Sequence, residues 1–178
     1  MSQHVHLIRT TRPEASEYAP FYATYVGHVP GGDIVETLAT QHDATMALLR
    51  SLPEETGGLR YAPGKWSVRE VIGHIADAER IFGYRALRFA RGDETPLSSF
   101  DENAFVANGS FDEHSLASLL DELEAVRRAT VLFFASLNAT EWMRRGTASN
   151  HTMTVRALAW VTAGHELHHL GLLKSRYL

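Results

Sequence analysis

Cysteine is absent from the 178 residues of this chain. Its absence excludes disulfides, thiolate metal ligands and cysteine nucleophiles, so a zinc-like ion could be held only by histidine, aspartate or glutamate. No run of about 18 apolar residues is present either, which excludes a membrane-spanning helix and predicts no membrane partner. The first residues lack a charged start followed by an apolar stretch, so we expect a cytoplasmic protein.

Positive charge is also in short supply. Lys+Arg 17 against Asp+Glu 21 leave a net charge of -4. A protein that binds a phosphate backbone needs a basic face to release counterions, so the balance argues against a nucleic-acid partner. The length and the 44% hydrophobic content are typical of one globular domain. We predict a single domain at 1–178, with an N-terminal arm at 1–31 and a helical bundle at 32–178.

Four segments show the apolar spacing of amphipathic helices. They cover 33–52, 67–91, a stretch from 112 or 115 to about 137, and a stretch from 152 or 154 to about 176. Ser67 and Glu70 form a capping box at the start of the second segment, and Asp33 and Glu36 form a similar pair at the first. No segment shows the sustained alternation of a strand, so the pattern predicts an all-α fold, a four-helix bundle.

The first 31 residues do not fit the bundle pattern. They contain three prolines and a cluster of aromatic side chains: Tyr18, Phe21, Tyr22 and Tyr25. This composition is too aromatic for a disordered tail. Two interpretations stay open: an ordered aromatic arm that packs on the domain or on a partner subunit, and a short helix at about 14–26 within the same fold.

Ten histidines are present, and two of them stand out. His165 and His169 are four residues apart in the last helical segment, so both side chains lie on its apolar face, one turn apart. Burial of an unpartnered polar ring costs roughly 1–3 kcal/mol. A shared metal ion would satisfy both rings, whereas the simpler alternative is a pair of ordinary core histidines.

A metal ion needs a third ligand, and His74 is the best candidate because it lies on the apolar flank of the second helix. Three imidazoles leave a coordination position for water or substrate, which is typical of catalytic rather than structural sites. The remaining histidines fit less well. Four lie in the arm or a loop, namely His4, His6, His28 and His151, and two lie on or near polar faces, namely His42 and His114. His168 is offset from His169 by about 100° around the helix.

Two carboxylates and two arginines lie near these histidines in the sequence. Asp77 and Glu166 could each accept the second ring N–H of a histidine ligand and so orient it. Arg144 or Arg145, in the loop before the last helix, could bind an acidic group of a substrate. For all four residues the alternative is a solvated surface charge.

His165 to His169 also match the H-E-x-x-H signature of zinc peptidases. The extended form of that signature requires glycine at position 172 and histidine at position 175, where this chain has Leu172 and Ser175. No predicted sheet is available to align a peptide. The sequence therefore argues against a peptidase.

Two motifs together resemble the DinB-like family, also described as YfiT-like metalloenzymes. They are the Trp-Ser-x-x-Glu-x-x-x-His start at 66–74 and the His-x-x-x-His pair at 165–169. The resemblance extends over roughly residues 33–177. It implies a four-helix bundle with a divalent ion, nickel or zinc, held by His74, His165 and His169, and it implies a homodimer.

The open histidine site and the resemblance lead to one leading functional hypothesis. We expect a metal-dependent enzyme that acts on a small molecule by hydrolysis or by thiol transfer, with a low-molecular-weight thiol such as bacillithiol as cosubstrate. The alternative is a non-catalytic metal-binding module with a role in the stress response. The weakest alternative, a nucleic-acid factor, is opposed by the net charge.

Overall fold

The computed structural model describes residues 3–178, which form eight α-helices and one two-stranded hairpin. The helices are α1 (Gln3–Thr10), α2 (Ala23–His28), α3 (Ile34–Leu49), α4 (Val68–Ala90), α5 (Glu102–Asn108), α6 (Leu116–Ser136), α7 (Ala139–Met143) and α8 (Val155–Leu172). None of the helices in this range combines the length and the apolar character needed to cross a membrane.

The four long helices form the bundle that the sequence predicts. Helix α4 packs against α6 and α8, and α3 packs against the same two helices, so the four close into one ring. A 3-10 turn joins α3 to α4, helix α5 and a second 3-10 turn join α4 to α6, and α7 with a hairpin joins α6 to α8. Helix α8 continues into a π-helical turn at Leu173–Tyr177. The prediction of an all-α four-helix bundle is confirmed.

Polar caps set the beginning of each bundle helix. The Ser67 side chain accepts the backbone N–H of Glu70, whose side chain returns to the Ser67 backbone, so the predicted capping box is present. Asp33 caps α3. For the two starts that the sequence left open, Ser115 caps α6 and Thr154 caps α8. Each cap satisfies backbone N–H groups that have no partner within the helix.

Several short elements were not predicted: helices α1, α5 and α7 and a two-stranded hairpin. Strands β1 (Arg145–Ala148) and β2 (His151–Thr154) pair antiparallel, with Arg145 opposite Thr154. Ser149 and Asn150 form the turn between them with φ values of 53° and 64°. Two consecutive residues with positive φ are typical of a tight hairpin turn. The strands were missed because four residues are too few to show a clear alternation.

The N-terminal segment packs on the bundle of its own chain. Of the two interpretations left open, the single short helix at about 14–26 is not formed: 3-10 turns occupy Ala15–Glu17 and Pro20–Tyr22 before α2 begins. Helix α2 then lies against α8. Two buried ion pairs hold the segment, Arg9 with Asp33 at 2.7 Å and Glu17 with Arg156.

The apolar core has two parts with a polar layer between them. One part contains large side chains from α4, α6, α7 and α8, namely Phe82, Phe89, Phe134, Trp142 and Trp160. The other contains Leu49, Ile72, Ile75, Leu119 and Leu123. Each bundle helix contributes buried or half-buried polar side chains to the layer between the two parts of the core. In the order α3, α4, α6 and α8, these are Gln41 and His42, His74 and Glu79, Arg127, and finally His165, Glu166 and His169.

Candidate metal centre

Three histidines from two helices meet in the polar layer. His74 lies on α4, and His165 and His169 lie one turn apart on α8. One ring nitrogen of each lies within 4.8 Å of the others, and all three side chains are buried. Within residues 3–178 this is the one cluster of three or more histidine, aspartate or glutamate side chains that could hold an ion.

The spacing of the ring nitrogens suits a divalent ion. His74 Nε2 and His165 Nε2 are 3.0 Å apart. Nitrogens that share one zinc-like ion, at about 2.0–2.1 Å each, are about 3–3.5 Å apart. The 3.0 Å separation also suits a single hydrogen bond between the two rings. A hydrogen bond joins only two of the rings and leaves out His169, whereas one nitrogen of each of the three rings can coordinate the same cation.

Burial keeps the three rings in the neutral form that a metal ligand requires. It lowers the pKa of His74 to about 4. Burial, together with the neighbouring His74 and His168 rings, lowers the pKa of His169 to about 3. The pKa of His165 lies well below its usual value for the same reasons, burial first and then the neighbouring histidines. Each ring therefore has a free lone pair at neutral pH.

Aromatic side chains surround the three histidines. The Trp66 ring lies 4.8 Å from that of His74, between centroids. Tyr25 of α2 and Phe82 of α4 contact the His165 ring edge-to-face, at 5.3 Å and 5.5 Å. In the sequence, Trp66 stands out only as the first residue of the motif at 66–74. In the structure it forms part of the wall around the site.

The histidines open onto a cavity of about 490 Å³. Besides the three histidines it is lined by aromatic side chains and a few polar ones: Phe21, Tyr22, Tyr25, Trp66, Phe82, Phe100, Arg85, Ser99, Glu102 and Ser149. A concave site with apolar walls and a small number of convergent polar groups is typical of small-molecule binding.

The two carboxylates named from the sequence have other partners. Glu166 is buried and pairs with Arg127 at 2.6 Å, and it also accepts a hydrogen bond from Gln41. Asp77 pairs with Arg80 at 3.2 Å. The structure therefore places Glu166 in a neighbouring ionic network and Asp77 in a partly exposed pair, and neither forms a hydrogen bond with the three imidazoles.

The two loop arginines do not line the cavity either. Arg144 donates to the Ala90 carbonyl, and Arg145 donates to the Ser16 carbonyl at 3.3 Å.

The expectation that His42 lies on or near a polar face is wrong, because its side chain is buried. Both ring nitrogens of His42 lack a hydrogen-bond partner among the described residues. Neighbouring helices, which the sequence pattern does not reveal, cover it.

Two residues of the site went unrecognised in the sequence. Arg85 follows His74 by eleven residues on the same helix, which is close to three full turns, so both lie on one face. An arginine on an apolar stripe was therefore a detectable feature. Tyr25 reaches His165 only through the packing of α2 on α8, and no local pattern indicates that contact.

Comparisons with known proteins agree with this architecture. A family model described as the DinB superfamily matches residues 37–173. YfiT from Bacillus subtilis, described as "a probable metal-dependent hydrolase with an unusual four-helix bundle topology", superimposes with a TM-score of 0.68 at 16% identity over 97% of this chain and 95% of its own. No curated protein matches in sequence.

A second solved structure is the mycothiol-dependent maleylpyruvate isomerase. Its TM-score is 0.66 at 15% identity, over 82% of this chain and 61% of the isomerase. At such identities the two likenesses show the fold, and the isomerase has a substantial part that this chain does not match.

Proposed function

The chain belongs to the DinB superfamily, and we propose that it is a metal-dependent enzyme acting on a small molecule in the cavity of about 490 Å³. The observation that carries the proposal is the cluster of three buried, neutral imidazoles at the cavity wall, with ligand nitrogens within 4.8 Å of one another. Buried polar rings of one kind, gathered at one point, are satisfied best by a shared cation.

We propose that His74, His165 and His169 hold a divalent ion, nickel or zinc. Such an ion, when bound, acts as a Lewis acid and makes water or a thiol a stronger nucleophile at neutral pH. The protein's own contribution is to keep the imidazoles neutral by burial and to fix their positions on two packed helices. Trp66, Tyr25 and Phe82 limit the access of bulk water to the same point.

Two reactions suit this arrangement, hydrolysis and transfer to a low-molecular-weight thiol such as bacillithiol. The descriptions of the two similar structures, a probable metal-dependent hydrolase and a mycothiol-dependent isomerase, support this pair of reactions. Because the chain has no cysteine, any thiol in the reaction belongs to a cosubstrate. A homodimeric, cytoplasmic, single-domain protein remains part of the prediction.

The first test is the metal content of untagged protein, measured by elemental analysis. We expect about one ion per chain in the wild type and almost none in His74→Ala. Removing a group that only orients a ligand costs about 10–100-fold in affinity, so removing a ligand costs more. His42→Ala, which removes another buried histidine, should retain the wild-type content. Equal metal in wild type and His74→Ala would contradict the proposal.

The second test separates an enzyme from a non-catalytic metal-binding module. Cobalt-substituted protein is titrated with a low-molecular-weight thiol while its visible spectrum is recorded. An exchangeable position facing the cavity predicts a new thiolate-to-cobalt absorption band. An unchanged spectrum would instead indicate a closed site and favour the non-catalytic module.

A further inference from the structure

Arg85 differs from the other buried arginines of the described residues. Four arginines in the range 3–178 are buried, and three of them pair with a carboxylate. These pairs are Arg9 with Asp33, Arg127 with Glu79 and Glu166, and Arg156 with Glu17. Arg85 is 2% exposed, and no carboxylate among the described residues lies within ion-pair distance of it.

Neutral acceptors hold the Arg85 guanidinium in the cavity wall. Nη2 donates to the Ser98 carbonyl at 2.9 Å and to Ser149 Oγ at 3.0 Å. Nη1 donates to the Tyr22 hydroxyl at 3.5 Å, and the Phe100 ring centroid lies 5.9 Å from the guanidinium carbon. These contacts use at most three of the five N–H donors of an arginine. They orient the cation but do not compensate its charge, and burial of an uncompensated charge is costly.

Only one acidic residue lines the cavity in the described part of the chain, and it does not neutralise Arg85. Glu102 is exposed at the first turn of α5 and remains solvated. The buried interior of the cavity therefore has a positive guanidinium at one place and three neutral imidazoles at another. An anion from solution is the missing counter-charge.

The positions of these groups set the shape of what fits between them. His74 and Arg85 lie on one face of α4, with Cα atoms about 16 Å apart along the helix axis. The arginine side chain leans back toward the start of the helix, in the direction of His74. Aromatic rings of Tyr22, Phe82 and Phe100 line the space between them. The ligand is therefore elongated, with an apolar body and an anionic end.

We propose that the cavity takes an organic carboxylate with an apolar or aromatic body, and that Arg85 binds its carboxylate while the opposite end faces the three histidines. Charge-assisted hydrogen bonds from a buried guanidinium to a carboxylate are among the strongest in proteins. The inference rests on the proposed function because it names the substrate class of the same cavity. Arg85 is a binding residue for the substrate and takes no part in bond making.

The test compares phenylbutyrate with its uncharged counterpart phenylbutanol, by titration calorimetry on untagged protein. We expect the wild type to bind the acid about tenfold or more tightly than the alcohol. Arg85→Met should abolish that preference while its affinity for the alcohol stays within about twofold. A wild type without preference for the acid, or an Arg85→Met variant that keeps it, would overturn the proposal.

A carboxylate could also bind an ion at the histidines, so each titration is repeated after chelation. Binding at Arg85 predicts that the acid preference survives metal removal and also survives in His74→Ala. A preference that disappears with the metal overturns the role of Arg85. Loss of metal in His74→Ala with an intact acid preference supports this inference, and the metal analysis itself decides the proposed function separately.

Glu102→Gln provides a second variant at an exposed position, in case Arg85→Met does not fold, as judged by circular dichroism. Removing this negative charge from the cavity should raise the affinity for the acid about twofold and leave that for the alcohol unchanged. An unchanged or lower affinity for the acid would count against an anion in the cavity.

Discussion

Two buried polar clusters lie side by side in the layer between the apolar cores, and they are satisfied in different ways. In one, Arg127 donates to both oxygens of Glu79 at 2.9 Å and 2.8 Å, to Glu166 and to the Leu38 carbonyl at 3.0 Å. In the other, His74, His165 and His169 face one another as three neutral bases. The first cluster brings together opposite charges, whereas the second brings together three groups of one kind.

The difference indicates separate roles for the two clusters. Burial alone would lower the pKa of Arg127, but Glu79 and Glu166 raise it further than burial lowers it, so the guanidinium stays charged. The network thus pairs its guanidinium with carboxylates of the same chain. Under the proposed function, a cation completes the histidine cluster. Because Glu166 follows His165 directly on α8, the ionic network also holds the turn of helix that carries the histidines.

The largest effect on stability should come from breaking the ionic network. Arg127→Met leaves Glu79 and Glu166 as buried carboxylates without a counter-charge, and we expect a loss of about 3–5 kcal/mol in the free energy of unfolding. Urea unfolding of the variant and the wild type measures this loss in the free energy of unfolding. The control is Arg80→Met, which removes the pairs of the exposed Arg80 with Asp77 and Glu122 and should cost less than about 1 kcal/mol. Equal losses in the two variants would remove the distinction between the clusters.

A smaller effect should follow from disturbing the wall of the histidine cluster. A Cβ at Gly164, the residue before His165, would lie 1.9 Å from the Tyr25 carbonyl oxygen. Because that oxygen belongs to the backbone of α2, we expect Gly164→Ala to cost about 3 kcal/mol and to loosen the N-terminal segment. Urea unfolding and limited proteolysis of residues 3–29 would measure these two effects.

Gly171→Ala is the matched control for that prediction. Gly171 is on the same helix, and nothing lies within 4 Å of an added Cβ there. Alanine is a better helix former than glycine by about 1 kcal/mol, so this variant should be slightly more stable than the wild type. If Gly164→Ala were equally harmless, α2 would not pack as closely on α8 as described.

The smallest effect is expected at the buried pair of Glu17 and Arg156, which has one carboxylate for one guanidinium. Burial alone would raise the pKa of Glu17, but hydrogen bonds from Arg156, the Glu14 backbone and Thr154 lower it overall. A lowered pKa stabilises the fold above the unfolded pKa of about 4.3, and the benefit disappears as the pH falls through the folded value.

Glu17→Gln should therefore destabilise the protein by about 1–2 kcal/mol at neutral pH, and the difference from wild type should shrink in acid. Urea unfolding at about pH 7, 5 and 3 follows the change. The exposed Glu55→Gln serves as control and should differ little from wild type at each pH. A difference that stays constant into acid would show that the Glu17 charge does not matter.

The sequence was sufficient for the parts of the molecule that depend on local pattern. The bundle helices, the caps at Asp33 and Ser67, and the common helical face of His165 and His169 all follow from patterns within single helices. His74 was selected as the third histidine from its place on the apolar flank of its helix, and the resemblance implied the same set of three, although no spacing relates α4 to α8. Contacts that join distant segments were missed, among them Tyr25 on His165 and the pairing of Glu166 with Arg127.

Helix α2 lies before residue 37, where the family match begins, yet its Tyr25 forms part of the cavity wall beside His165. The histidines come from the bundle itself. The cavity wall therefore draws on a stretch of chain before the family match as well as on the bundle, whereas the three histidines come from the bundle alone. Exchanging residues 3–29 for another sequence of similar packing would alter which molecules enter while leaving the three imidazoles in place.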